Sequence, residues 1–87
     1  MSDITHNTEL SRYEMPTPHG LAIAVYHQLA DRRIFTHTEV PPQDEGKGHA
    51  SRLVKEALDD TRRLGFKIQP ACRFVVAYVR RHPEYRD

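Results

Sequence analysis

The hydrophobic pattern changes period along the chain, from two in its first half to three and four in its second. Over residues 3–14 the β-formers Ile4, Thr5, Thr8 and Tyr13 are scattered among polar positions, which predicts one exposed edge strand. Residues 15–20 hold two prolines and a glycine, Met15-Pro16-Thr17-Pro18-His19-Gly20, and so predict a turn that joins two strands as a hairpin. Next, Leu21, Ile23, Val25, His27 and Leu29 alternate with Ala22, Ala24, Tyr26 and Gln28, the pattern of a strand with both faces partly covered. After a short polar turn at Asp31-Arg32, alternation resumes over residues 33–40. It sets Arg33, Phe35, His37 and Glu39 opposite Ile34, Thr36, Thr38 and Val40, and on that shared face Arg33 could pair with Glu39. Pro41-Pro42 ends this strand, since neither residue can donate to a ladder.

From residue 47 to 64, Ala50, Leu53, Val54, Ala57, Leu58, Thr61 and Leu64 form one stripe of an amphipathic helix. Gly65 stands where a left-handed C-terminal cap is wanted, and Arg62 and Arg63 suit the negative end of the helix dipole. Residues 66–69 predict a short strand closed by Pro70, and strand, helix, strand in succession favours a right-handed crossover with parallel strands. Residues 72–81 place Val75, Tyr78 and Val79 on one face with Phe74 beside them, a second helix that His82-Pro83 ends. The expected fold is therefore α/β in content and α+β in arrangement. Its order is β-β-β-α-β-α, a mixed sheet packed by two helices, forming a single domain over residues 1–87 because a chain this short supports one core.

Composition then narrows the function. Lys and Arg number 13 against 12 Asp and Glu, and a net charge of +1 argues against a protein built to neutralise a nucleic-acid backbone. Arg80, Arg81 and Arg86 are the one concentrated basic patch, and no aromatic platforms are interleaved with them. The single cysteine, Cys72, cannot form an internal disulfide, and residues 1–10 carry no apolar core of signal-peptide length, so a reducing, cytoplasmic setting is expected. No apolar run approaches the roughly 20 residues that cross a bilayer, so no membrane insertion is expected. Six histidines show neither a His-x-x-x-His pair nor a cysteine cluster, and no metal is expected. Asp3, Glu9 and Arg12 charge the edge strand, which favours a monomer.

The stretch most suggestive of chemistry is Gln43-Asp44-Glu45-Gly46-Lys47-Gly48-His49-Ala50, between a strand end and a helix start. Glycines there let a ligand approach the backbone, and free amides at the helix N-terminus suit phosphate. The same residues also suit a plain strand-to-helix turn with Lys47 and His49 solvated. The loop is neither a Walker loop, since His49 follows Gly48, nor a dinucleotide fingerprint, since it has only two glycines. Cys72 lies near the start of the second helix, where the dipole would favour a thiolate able to accept an acyl group; a small buried apolar residue is the alternative. His37 and Glu39, two apart on one strand, pair a candidate base with a candidate carboxylate partner, or are simply polar residues of a sheet surface.

The order Gln43-x-x-Gly46-x-Gly48 before a helix resembles the coenzyme-A pyrophosphate loop of the GNAT superfamily of N-acetyltransferases. More closely, His37-Thr38-Glu39-Val40-Pro41, Gly46-x-Gly48-x-Ala50-x-x-Leu53-Val54, Pro70-x-Cys72-x-Phe74-Val75 and His82-Pro83-Glu84-Tyr85 resemble the small single-domain acetyltransferase-like proteins of the YjdJ type, from about residue 13 to residue 85. The resemblance implies a reduced GNAT fold that binds acetyl-CoA as co-substrate. Val40, Gln43, Glu45, Gly46, Lys47, Gly48, His49 and Ala50 would form the cofactor site, with amides around residues 45–49 on the pyrophosphate. Lys47, Arg52 and Lys55 would reach the 3′-phosphate or stay solvated. The thioester carbonyl would lie between the ends of the third and fourth predicted strands, near the Val40 amide. Acetyl transfer to an unidentified amine would run directly, with Glu39 or His37 as base, or through Cys72 as an acetylated nucleophile. Larger family members carry N-terminal elements that help form an acceptor groove, whereas this chain opens with strands. The alternative function is a non-catalytic CoA- or acyl-CoA-binding or protein-interaction module.

Overall fold

The computed structural model describes residues 3–86. The period-2 half of the chain forms four strands, β1 (Thr5–Asn7), β2 (Arg12–Thr17), β3 (Gly20–Gln28) and β4 (Arg32–Glu39). The helical stripe follows as α1 (His49–Arg63), then β5 (Lys67–Pro70) and α2 (Arg73–Arg81). Strand order in the sheet is the chain order, antiparallel from β1 to β4, with β5 added parallel to β4 after the α1 crossover. This is the expected mixed sheet with two helices, enlarged by one strand.

The extra strand comes from a turn the pattern conceals. Ser11 takes a positive φ of 51°, and the Asn7 carbonyl oxygen of the side chain accepts the Leu10 N–H at 3.1 Å. The single edge strand expected over residues 3–14 is thus a hairpin of β1 and β2. The proline-rich stretch is likewise not all turn. β2 runs through Pro16 to Thr17, and only Pro18 and His19 make the bend. β1 pairs with β2 no further than Glu14, so Pro16 sits on a free edge and forfeits no bond to a second neighbour.

Both helices bury their apolar stripes in one core. Leu53, Val54, Ala57 and Leu58 of α1 and Val75, Tyr78 and Val79 of α2 meet Ala22, Ala24, Tyr26 and Phe35 of the sheet. Leu64, placed by its spacing at the end of the α1 stripe, is instead 49% exposed. There the helix is already ending. Gly65, at φ 87°, donates to Arg62 C=O at 2.9 Å, and Phe66 donates to Thr61 C=O at 3.1 Å, the paired bonds of a left-handed C-terminal cap.

Alternation along β4 breaks once, and the break decides where the candidate residues point. Val25 faces His37 while the next residue, Tyr26, faces Phe35, so Thr36 is left without a partner in the ladder. This bulge reverses the face of every later side chain. Arg33 and Phe35 lie against the helices, but His37 and Glu39 do not share their face as simple alternation requires. Thr38, opposite Ala24, takes the helix side instead. Nor does Arg33 pair with Glu39. It is 4% exposed, and its guanidinium donates to Gln28 at 2.6 Å, the Tyr13 hydroxyl at 2.7 Å and the Thr61 hydroxyl at 3.3 Å. It also stacks 4.4 Å from the Tyr26 ring centroid. A buried charge at this position is held by three acceptors and an aromatic face.

Candidate functional site

Beyond the bulge, β4 and β5 part. Their pairing ends at Phe35 and Pro70, after which the Ala71 and Cys72 amides both turn onto Phe35 C=O, at 3.0 and 2.9 Å. The last residues of β4 therefore have a ladder on the β3 side only. Pro70 enforces this, because it cannot continue the exchange of bonds and the chain leaves the sheet to start α2. A cleft of about 550 Å³ opens in the gap, lined by Thr38, Glu39 and Val40, by the following loop, by the first turn of α1 and by Phe74 of α2.

The loop reaches the cleft through two left-handed glycines, Gly46 at φ 77° and Gly48 at φ 82°. Neither glycine is there to avoid a clash, since a side-chain carbon built on either would meet no atom within 4 Å. Their role is backbone shape: alternate left-handed residues turn successive N–H groups toward one concavity. Gly48 also occupies the N-cap position of α1, where it has no side chain to accept a helix amide. The first helix bond runs from Arg52 N–H to Gly48 C=O at 3.1 Å, so the His49, Ala50 and Ser51 amides lie ahead of the helical ladder. With no acidic residue in that first turn, the helix dipole is left uncompensated and suits an anion.

Immediately before the glycines, a 3₁₀ turn (Pro42–Asp44) carries the one acidic side chain of this region that is fully buried. Asp44 accepts hydrogen bonds from the His19 amide at 2.8 Å and the His19 ring Nδ1 at 2.9 Å. Burial on its own would raise the carboxyl, but hydrogen bonding from the His19 ring, the Thr17 side chain and the His19 amide outweighs it and holds the Asp44 pKa at about 2. Asp44 is thus a permanent anion directed away from the glycines and into the β2–β3 turn.

Of the residues expected to hold a cofactor, Val40, Glu45, Gly46, Gly48, His49 and Ala50 line the cleft. Gln43 and Lys47 do not line it and are exposed. Among the residues expected to act chemically, Glu39 lines it. His37, turned over by the bulge, meets Glu39 through Nε2 at 3.0 Å, with both side chains more than half exposed. Cys72 is the N-cap of α2 and half-buried, and its Sγ lies 3.4 Å from the Thr38 hydroxyl, one residue behind the cleft wall. The structure therefore gathers the Glu39 carboxylate, the amide-rich loop that carries Asp44 and Glu45, and an adjacent thiol at the end of β4. Thr38, Asp44, Ser51 and Phe74 also line the site and were not singled out in the sequence. Asp44 could have been found only from its partner, 25 residues earlier in a turn.

Three His, Cys, Asp or Glu residues close enough to hold a metal ion occur nowhere among the described residues. No helix among them is long and apolar enough to cross a membrane.

Comparison with known proteins converges on the same stretch. A family model described as GCN5-related N-acetyl-transferase matches residues 12–87. Protein NATD1 of Gallus gallus and of Mus musculus are each 33% identical over 66 residues, covering 75% of this chain and 60% of theirs. The Homo sapiens protein of that name is 33% identical over the same length, 58% of its own chain. The matched stretch thus spans about three-fifths of these curated relatives.

Proposed function

From the premise that this chain belongs to the GCN5-related N-acetyltransferase family, we propose that the cleft beside β4 binds acetyl-CoA and that the protein transfers its acetyl group to an amine. One observation carries the reading: the parting of β4 from β5 opens directly onto the glycine-shaped start of α1. In this reading the amides of residues 46–51 face the diphosphate, where uncompensated N–H groups and the helix dipole supply the counter-charge. The pantetheine arm follows the open edge of β4 between Val40 and Phe74, as an extended chain adding to a sheet edge. A β4 amide near Val40 hydrogen-bonds the thioester oxygen and stabilises the charge that grows on it during attack.

Glu39 is the general base. It lines the cleft, whereas Cys72 stands behind Thr38. The acceptor amine attacks the carbonyl carbon, a C–N bond forms as the C–S bond breaks, the amine's proton passes to Glu39 directly or through water, and the CoA thiolate takes up a proton on release. His37, 3.0 Å from Glu39, orients the carboxylate. Transfer is direct, and no acetyl-cysteine is required. A non-catalytic acyl-CoA-binding module is the competing reading, favoured by how exposed His37 and Glu39 are.

The two readings separate in one assay. Purified protein is incubated with acetyl-CoA and a panel of polyamines, aminoglycosides and lysine peptides, and free CoA thiol is followed colorimetrically. Amine-dependent thiol release, reduced about 100-fold or more in Glu39→Gln, is expected. Saturable acetyl-CoA binding with no amine-dependent release would leave only the binding module.

A further inference from the structure

Resting on the acetyl-CoA reading, we propose that His19 and Asp44 form a clamp that fixes the glycine loop, making both of them positioning residues for the amides that would receive the diphosphate. The loop needs an external anchor. Its two glycines have the widest conformational freedom of any residue, and nothing packs within 4 Å of where their side chains would be. On one side the loop is continuous with α1. On the other, its connection to the sheet passes through Asp44, which is fully buried and accepts both the amide and the ring of His19.

The partner is well chosen for holding a loop still. His19 is in the two-residue bend between β2 and β3, and those strands are locked by the antiparallel ladder from Arg12↔Val25 to Thr17↔Gly20. Gly20, which follows the bend as the first residue of β3, also lies beside the start of the loop's connection to the sheet, since a side-chain carbon built on it would stand 3.4 Å from Pro41. A bidentate, charge-assisted contact between a buried carboxylate and a rigid hairpin restricts both the distance and the angle of the loop. Holding the amides in place before a ligand arrives lowers the ordering cost that binding would otherwise carry.

The clamp is tested in the free protein and with ligand. His19→Ala is the main variant because the His19 side chain is half exposed and its removal leaves the core intact. Asp44→Ala removes both bonds, and Asp44→Asn keeps one acceptor without the charge. Amide hydrogen exchange at Arg52, whose N–H is bonded to the loop carbonyl of Gly48, is expected to speed up in the ligand-free variants about tenfold in His19→Ala and more in Asp44→Ala, with Asp44→Asn intermediate. Exchange in the β3 ladder should be unchanged. In steady-state assays KM for acetyl-CoA should rise about tenfold in His19→Ala while kcat is kept. Unaltered exchange at Arg52 in both His19→Ala and Asp44→Ala would overturn the clamp. Failure of the wild-type protein to bind acetyl-CoA would instead remove the acetyl-CoA reading, and the exchange arm would still decide whether the clamp exists.

Discussion

The two halves of β4 are neighbours in sequence and opposites in construction. Over Arg32 to Phe35 the strand is paired on both sides, and Arg33 and Phe35 are sealed under the helices. Past the Thr36 bulge it is paired on one side only, its side chains have changed faces, and it borders a cleft. The first half satisfies every polar group it buries; the second leaves an edge and a row of amides for something else. One inserted residue separates a structural strand from an edge that borders the candidate site, a placement common for bulges.

Removing that residue should give the largest effect. Deletion of Thr36 joins the Tyr26↔Phe35 pair directly to Val25↔His37, so His37, Thr38 and Glu39 keep their faces while the bend and added twist of the bulge are lost. Loss of acetyl-CoA binding in a protein that still melts cooperatively is expected from calorimetry and thermal melts, because the strand no longer bends where it borders the cleft. A deletion protein that binds and melts like the wild type would show that the bulge does not organise the site.

The first half is probed by Arg33→Ala. This change leaves the Gln28, Tyr13 and Thr61 acceptors without their buried donor and empties the space over Tyr26, a loss of about 3 kcal/mol by chemical denaturation. The folded fraction should bind acetyl-CoA as the wild type does. An equal loss of affinity would mean the two halves are not separable.

A smaller effect is expected at Cys72. Its thiol packs against Thr38 behind the cleft wall, so Cys72→Ala should change turnover by about twofold or less. Abolished turnover with binding preserved would establish the acetyl-cysteine route and displace Glu39 as the base for direct transfer.

The smallest effect lies at the other end of the sheet. His6 stacks on Tyr13 at 4.2 Å, and burial, then the nearby Arg33 charge, lower its pKa below the ordinary 6.5. The folded state resists protonating His6 while the unfolded chain does not, so its contribution is present above pH 6.5 and is lost as pH falls below it. A modest decline in melting temperature between pH 7 and 5 should be reduced in His6→Gln. An identical decline in both proteins would assign the effect elsewhere.

Most of the fold was legible because its signals are local. The 3.6-residue stripe of α1, the Gly65 cap and the Pro41-Pro42 and Pro70 strand ends all act within a few residues of where they appear. What alternation could not reveal was the reversal at Thr36, since a bulge depends on the partner strand and on how β5 leaves the sheet. That one feature misplaced His37 and Glu39 relative to Arg33. The glycine loop was readable from its residue types, but its anchor was not: Asp44 gains meaning only through His19, and pairs so far apart in sequence leave no periodic trace. The Ser11 turn was hidden for a third reason, a positive φ at a residue that seldom adopts one.

The central claim, that the start of α1 is a phosphate-receiving site, is tested most directly by calorimetric titration of acetyl-CoA into three proteins: wild type, Gly48→Glu and Gly65→Glu. Gly48 and Gly65 have nearly equal positive φ, 82° and 87°, and open space around each, so the backbone penalty of the two substitutions is matched. Only Gly48 borders the cleft. Saturable binding in the wild type and in Gly65→Glu, with none in Gly48→Glu, is the predicted result. Absence of wild-type binding at millimolar ligand, or undiminished binding in Gly48→Glu, would contradict it and return the loop to the role of a simple strand-to-helix turn.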